Sequence, residues 1–326
     1  MEKFYILKLT INKEQNQLRL DQALAKLSNF TRSQIKILLL SGKVKKNEKI
    51  FKETSYRVKI NEEYFLDIIT AKEEKFEAEN IPLDIIYEDD HIIIINKIAG
   101  IVTHPAPGNR SGTLVNALLN YTKNNLSNIS NDNNENNRPG IVHRLDKETS
   151  GLMVIAKNND SHLNLAEQFK DHSISRKYKA IVWGVPDNQI IEGYVERHKI
   201  NRKKMSLNNQ EKGRYSKTII KLLSSYKIAS LVECKLETGR THQVRLHMTS
   251  INSPLIGDKV YGRSKINQFG REKDSFNKFL ILKNFSRQAL HAYHLGFKHP
   301  KTNIYMEFNN EIPVDMQNLI DLITKY

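Results

Sequence analysis

One carboxylate stands out in GIVHRLDKETSGLMVIAKN, residues 140–158: Asp146, preceded by His143 and Arg144 and followed by Thr149, Ser150 and Gly151. Apolar runs on either side, Ile141-Val142 and Leu152 to Ile155, predict strands over 141–145 and 152–157 with Asp146 at the turn between them. An aspartate in such a turn ordinarily does no more than satisfy backbone amides. A second segment changes the balance. LETGRTHQVRLHM (236–248) predicts a strand, a glycine turn and a helix over 242–251 capped by Thr241, bringing Arg240, His242, Arg245 and His247. A third, SRKYKAIVWG (175–184), alternates so that Tyr178, Ala180 and Val182 share one sheet face. A carboxylate among cations on such elements has the makings of a site, since neighbouring positive charge keeps an acid ionised. HAYHLGFKHP offers His291, His294 and His299, but no acidic or cysteine co-ligand lies near them, and no metal site is expected.

The elements that must position these residues are mainly short strands, at 84–87, 91–96, 141–145, 152–157, 177–183, 217–223 and 229–236. Helices are predicted at 113–121 after Thr113, at 161–171 after Asp160 and at 242–251 after Thr241. Strands dominate without regular βα alternation, so the expected class is α+β. The N-terminal part has its own character. Thr31 and Gln34 form a capping-box pattern before a helix carrying Ile35, Leu38 and Leu39, which Gly42 ends. KVKKNEKI follows, with Asn47-Glu48 as a turn between two short strands. From Arg32 to Lys59 nine basic residues, Arg32, Lys36 and Lys43 among them, face two acidic ones, which favours contact with RNA. The expected organisation is an N-terminal domain over 18–70, a charged linker over 71–82 and a larger domain over 83–326. The Asn-rich stretch 123–137 has little to bury and is expected to be a surface loop.

Hydrophobic content of 39% and charged content of 27% are ordinary for a globular chain of 326 residues, but a net charge of +15 is not. Such an excess favours a polyanionic partner, although heavy Lys, Asn and Ile usage throughout the chain contributes to it. The single cysteine, Cys234, excludes a disulfide framework and a zinc finger, and it is expected to be a buried small hydrophobe. No signal-peptide pattern or membrane-length apolar run is present, so a cytoplasmic protein is expected. GxxxxGK[ST], GxGxxG and HExxH are all missing, which argues against nucleotide, dinucleotide and zincin chemistry.

HRLDKETSGLMVIAK, RKYKAIVWG, ETGRTHQVRLHM and PLIGDKVYG (254–262), in this order and spacing, resemble the RluA family of RNA pseudouridine synthases. VTHPAPGNRSGTLVNALL (102–119), ERHKINRKKM (196–205) and RQALHAYHLGFKHP (287–300) are similar to its RluD-like branch in particular. The stretch from Leu18 to Ile50 resembles the alpha-L RNA-binding domain that this branch carries. The resemblance covers nearly the whole chain and departs from the family at the Asn-rich segment before Arg138.

The resemblance implies a mixed, largely antiparallel catalytic sheet with flanking helices, preceded by a small alpha-L domain. It implies isomerisation of uridine to pseudouridine with no cofactor and no metal, by a monomer acting on large-subunit ribosomal RNA or the pre-ribosomal subunit. The branch modifies the helix 69 stem-loop of 23S rRNA; another rRNA site, a tRNA, or a non-catalytic assembly role are the alternatives. Breaking the bond from uracil N1 to ribose C1′ and rejoining through C5 consumes no water, so the two carboxylates of a hydrolytic glycosidase reduce to one. The resemblance places that role on Asp146, as nucleophile at C1′ or as base at C2′. It gives Arg245 the task of keeping Asp146 charged, and Tyr178 that of packing against the base. Arg144 is assigned the space vacated by a flipped uridine. His143, Arg240, His242, Arg32, Lys36 and Lys43 are expected to contact RNA.

Overall fold

The structure, a computed structural model, describes residues 3–28, 30–70, 76–105, 108–127, 138–198, 200–201, 204–262 and 279–325. The chain divides into two compact units near residue 75.

In the first unit four strands form one sheet in the order β1-β4-β2-β3: β1 (Lys3–Thr10), β2 (Val44–Lys46), β3 (Lys49–Ile50) and β4 (Glu63–Thr70). Two helices, α1 (Leu20–Leu27) and α2 (Arg32–Leu40), supply Leu20, Leu24, Ile35 and Leu39 to a core shared with Leu9, Val44, Tyr64 and Leu66. Thr31 and Gln34 make the expected capping box at the start of α2. Gly42, at φ +75, ends the helix in the left-handed region, and Asn47-Glu48 turns the hairpin with φ of 49 and 64. β1 pairs along its length with β4, so the unit begins well before the expected residue 18.

The second unit is built on a ten-stranded sheet. Its strands are β5 (Ile85–Glu88), β6 (Ile92–Lys97), β7 (Ser150–Ala156), β8 (Ser175–Trp183), β9 (Gln189–Arg197), β10 (Met205–Asn208), β11 (Arg214–Ser225), β12 (Ala229–Leu236), β13 (Leu290–Lys298) and β14 (Tyr305–Asn309). They run in the order β10-β9-β11-β12-β8-β13-β7-β6-β5, with β14 beside β13. Every pairing is antiparallel except β13 with β7 at His291–Ser150 and Ala292–Gly151. That contact is close: Gly151 sits at φ +124, and a Cβ there would lie 2.3 Å from the Ala292 carbonyl oxygen.

Both faces of the sheet are covered, which is why β6 opens with four consecutive buried isoleucines. On one face Ile93, Ile95, Met153, Tyr178, Val232 and Ala292 meet α3 (Leu114–Tyr121) and α5 (Gln243–Ser250) through Leu114, Leu118, Val244 and Met248. On the other, Ile94, Val154 and Phe297 pack on Leu165 of α4 (Asn159–Lys170), while Ile181 and Trp183 pack on Leu319 and Ile323 of the C-terminal α6 (Val314–Lys325). Each such side chain contributes about 1.5–3 kcal/mol.

Three local expectations need correction. Residues 141–145 are not a strand; Ile141 makes a single bridge to Ile155 and the rest is loop. α4 starts two residues early, capped by Asn158, whose side chain accepts the Ser161 N–H. α5 is not capped by Thr241: His242 occupies the N-cap in the left-handed region at φ 58. β9, β10, β13 and β14 escaped the sequence reading. The Asn-rich stretch lies outside the described residues from 128 to 137.

Candidate active site

Asp146 sits on a loop whose backbone carbonyls are individually held. Thr103 Oγ1 donates to Leu145 O at 2.9 Å and the Thr149 N–H to Asp146 O at 3.1 Å. Lys147 O accepts from the Gly100 N–H at 2.9 Å and Lys97 Nζ at 3.2 Å, and Glu148 O accepts from Arg287 Nη1 at 3.2 Å. Lys97 is buried, and its ammonium also donates to Ile98 O and Ile101 O. Burial pulls it down to about 7, against the opposing charges of Asp146 and Glu148. Arg287 is itself fixed by two bonds to Asp315 on α6, at 2.6 and 2.8 Å.

Against this loop α5 places Arg245. Its Nη1 donates to Asp146 Oδ2 at 2.9 Å, and its Nε and Nη2 bind both oxygens of Asp258, at 2.8 and 2.9 Å. Asp258 is in turn fixed by the Val260 and Tyr261 amides. Burial works against both charges in this pair, but each outweighs it for the other: Asp258 is held below the usual carboxylate range and Arg245 above its ordinary value. Arg245 therefore stays cationic and planar against Asp146, with the Tyr261 ring 5.1 Å from its guanidinium carbon.

His242 approaches from the same segment, its Nε2 3.7 Å from Asp146 Oδ2. The Tyr261 hydroxyl accepts the Met205 N–H at 2.7 Å and lies 2.9 Å from His242 Nδ1. That contact orients the ring so that Nε2 faces Asp146. Burial lowers His242, although Asp146 opposes the shift.

Tyr178 is buried on the face of β8 that carries the main core, as alternation predicts. Burial pushes its phenol up to about 12, opposed by the guanidinium of Arg176. Arg144 is exposed next to the loop. Arg240 is half-buried and spends Nε on Tyr215 O at 2.8 Å. His143, expected at RNA, is committed inward: Nε2 accepts the Val154 N–H at 3.0 Å and the ring stacks on Phe169. Burial, with Arg176 nearby, pulls it down to about 3, so it stays neutral. In the first unit Lys36 is exposed and Lys43 half-buried, while Arg32 donates to Asp21 at 2.8 Å.

The structure thus gathers Asp146, His242 and Arg245, and adds Lys97, Thr103, Asp258, Tyr261 and Arg287, none of which was singled out from sequence. Asp258 and Tyr261 lie within PLIGDKVYG, so that motif was the available signal. The three histidines of HAYHLGFKHP separate: His291 faces Ser150, His294 faces Ser175 and Asn309, and His299 faces Asp89. Among the described residues no group of three metal-ligating side chains forms, and no helix is long and apolar enough to cross a membrane.

A mostly antiparallel sheet thus carries a carboxylate hydrogen-bonded to a buried arginine, and comparison with known proteins gives the family. Residues 91–250 match the family described as RNA pseudouridylate synthase. The chain is 42% identical to ribosomal large subunit pseudouridine synthase D of Zymomonas mobilis over 321 residues, 97% of this chain and 96% of that one. It is 38% identical to the protein of that name from Escherichia coli K12, over 97% of this chain and 94% of that one. In fold it is similar to human RNA pseudouridylate synthase domain containing 4, with a TM-score of 0.55, 22% identity, and coverage of 74% of this chain and 93% of that one. The chain belongs to the RNA pseudouridine synthase family, and its activity is isomerisation of uridine in RNA.

Proposed function

We propose that the substrate is large-subunit ribosomal RNA, modified in the helix 69 stem-loop in the cytoplasm, with Asp146 as the reacting carboxylate. The observation that carries the catalytic assignment is the 2.9 Å contact of Asp146 Oδ2 with an Arg245 locked by Asp258. Arg245 donates to Oδ2 and the His242 ring lies 3.7 Å from the same oxygen, which leaves Oδ1 for ribose, as nucleophile at C1′ or as base at C2′. Tyr178 forms the wall against which the flipped base packs, and the exposed Arg144 enters the space it leaves.

The relatives named for the large ribosomal subunit, aligned over 97% of the chain, support the choice of RNA. The first unit supports it as well: its capped basic helix and hairpin suit an alpha-L domain gripping phosphates, with Lys36 and Lys43 the freest expected contacts. The test is incubation with large-subunit rRNA transcribed without pseudouridine, followed by carbodiimide-dependent primer-extension mapping. New stops in the helix 69 loop are expected, and Asp146→Asn is expected to give none while binding RNA within about threefold of wild type. Stops elsewhere would move the target, and turnover by Asp146→Asn would remove the role of Asp146.

A further inference from the structure

Arg176 lies two residues before Tyr178 on β8, and alternation puts both on the face that carries the active site. It is 8% exposed, and among the described residues no carboxylate, carbonyl or hydroxyl receives any of its nitrogens. Nε and Nη2 are sealed from solvent without a partner. Among the described residues, the aromatic face its guanidinium packs on is the Phe169 ring, 5.4 Å from its central carbon. An arginine cannot escape such a position by losing its proton, so the fold carries a buried, uncompensated cation.

Nη1 differs from the other two nitrogens. It lies beside Gly239, an exposed residue in the turn leading to His242, and a Cβ at Gly239 would stand 2.4 Å from it. Only a glycine lets the guanidinium edge lie so close to that turn, and Nη1, unlike Nε and Nη2, is not sealed there, between the strand that delivers Tyr178 and the turn that delivers His242. One accessible nitrogen is poorly suited to a phosphate, which arginine binds through two. It suits a single oxygen that becomes negative only for a moment.

We infer that Arg176 meets the negative charge of the uracil ring while that ring is detached from ribose. The inference rests on the reading of Asp146 and Tyr178 given above. When the bond from N1 to C1′ breaks, its electron pair stays with the base and spreads from N1 onto O2 and O4. The anion turns, C5 bonds to C1′, the C5 proton leaves and N1 gains one, so the isomerisation balances without a co-reactant. A cation already desolvated and unpaired needs no reorganisation to stabilise that anion, and it favours the detached state over neutral bound uridine. This is stabilisation of the leaving group, a task that Arg245, saturated by two carboxylates, is not placed to share.

The test compares wild type, Arg176→Met and Arg176→Lys on large-subunit rRNA transcribed with uridine or with 5-fluorouridine, reading single-turnover loss of the N-glycoside at the target. Fluorine stabilises the uracil anion by itself, so the reaction should lean less on the protein. For Arg176→Met on uridine RNA, a fall of about 100-fold in kcat is expected, with KM within about threefold. The deficit should shrink severalfold on 5-fluorouridine RNA, and Arg176→Lys should recover part of it. The Tm of Arg176→Met should equal or exceed that of wild type, since methionine removes a buried unpaired charge. Equal deficits on the two RNAs, a loss confined to KM, or a clear drop in Tm overturns the inference. Wild type inactive on this RNA, by contrast, strikes the reading beneath it, whereas active wild type with an unimpaired Arg176→Met strikes the inference alone.

Discussion

Arg245 and Arg176 are buried to nearly the same degree, yet one makes three hydrogen bonds to two carboxylates and the other makes none. The difference separates two uses of a buried cation. Paired on both edges, Arg245 has no freedom left; it fixes where Asp146 stands. Unpaired, Arg176 fixes nothing and keeps its field available. Removing the first strands two carboxylates, while removing the second strands no charge.

The sharpest way to break this comparison is Arg245→Met. It leaves Asp258 and Asp146 without their cation, and it should cost about 3–5 kcal/mol of stability in urea titrations and at least about 1000-fold in turnover. A variant as stable as wild type would mean that Asp258 is neutralised by some other route. Asp258→Asn tests whether the second carboxylate is what gives Arg245 its geometry. Turnover should fall about 100-fold through misplacement of the guanidinium, with about 1–3 kcal/mol lost; unchanged turnover would show that Asp146 alone suffices. Tyr261→Phe is milder. It deletes the hydroxyl that orients the His242 ring, and about 1–2 kcal/mol and a severalfold loss in kcat are expected. If the ring is held as well without that hydroxyl, kcat will not move.

The smallest effect concerns neutral groups rather than cations. Burial holds His247 and His291 down to about 4, below the usual 6.5. The unfolded chain therefore takes up protons that the folded one refuses, so the stability these rings contribute is full above pH 6.5 and is lost as pH falls towards 4. Urea midpoints should drop between pH 7 and pH 5 by an amount on the order of 1 kcal/mol for each ring, and His291→Gln should flatten the slope. A midpoint independent of pH over that range would contradict the burial assigned to them.

Much of the site was legible because its residues lie in short segments with distinctive order: Asp146, Tyr178, His242 and Arg245 were all marked from sequence. What escaped lay in long-range pairings. Lys97 ends a strand and reads as its polar terminus, yet its ammonium holds a carbonyl 50 residues away. Ile141-Val142 looked like strand because both are apolar, whereas Ile141 is buried beside the loop without a ladder to join. β13 was masked by its histidines, which suggested ligands rather than a strand whose polar side chains find hydroxyl and amide partners. β9 was hidden by Gly193, where a Cβ would lie 2.8 Å from Leu207 of β10; the glycine that weakens the strand pattern permits the pairing.

The Asp146 loop is fastened by its carbonyls, from donors at 97–103, 149 and 287, and not by its neighbouring side chains. Chemistry and target choice are thereby written in different alphabets: the backbone holds the reacting atom, and the side chains of Lys147 and Glu148 take no part in that fastening. A lineage can rewrite those two positions to follow a changing RNA while the carboxylate before them stays in register.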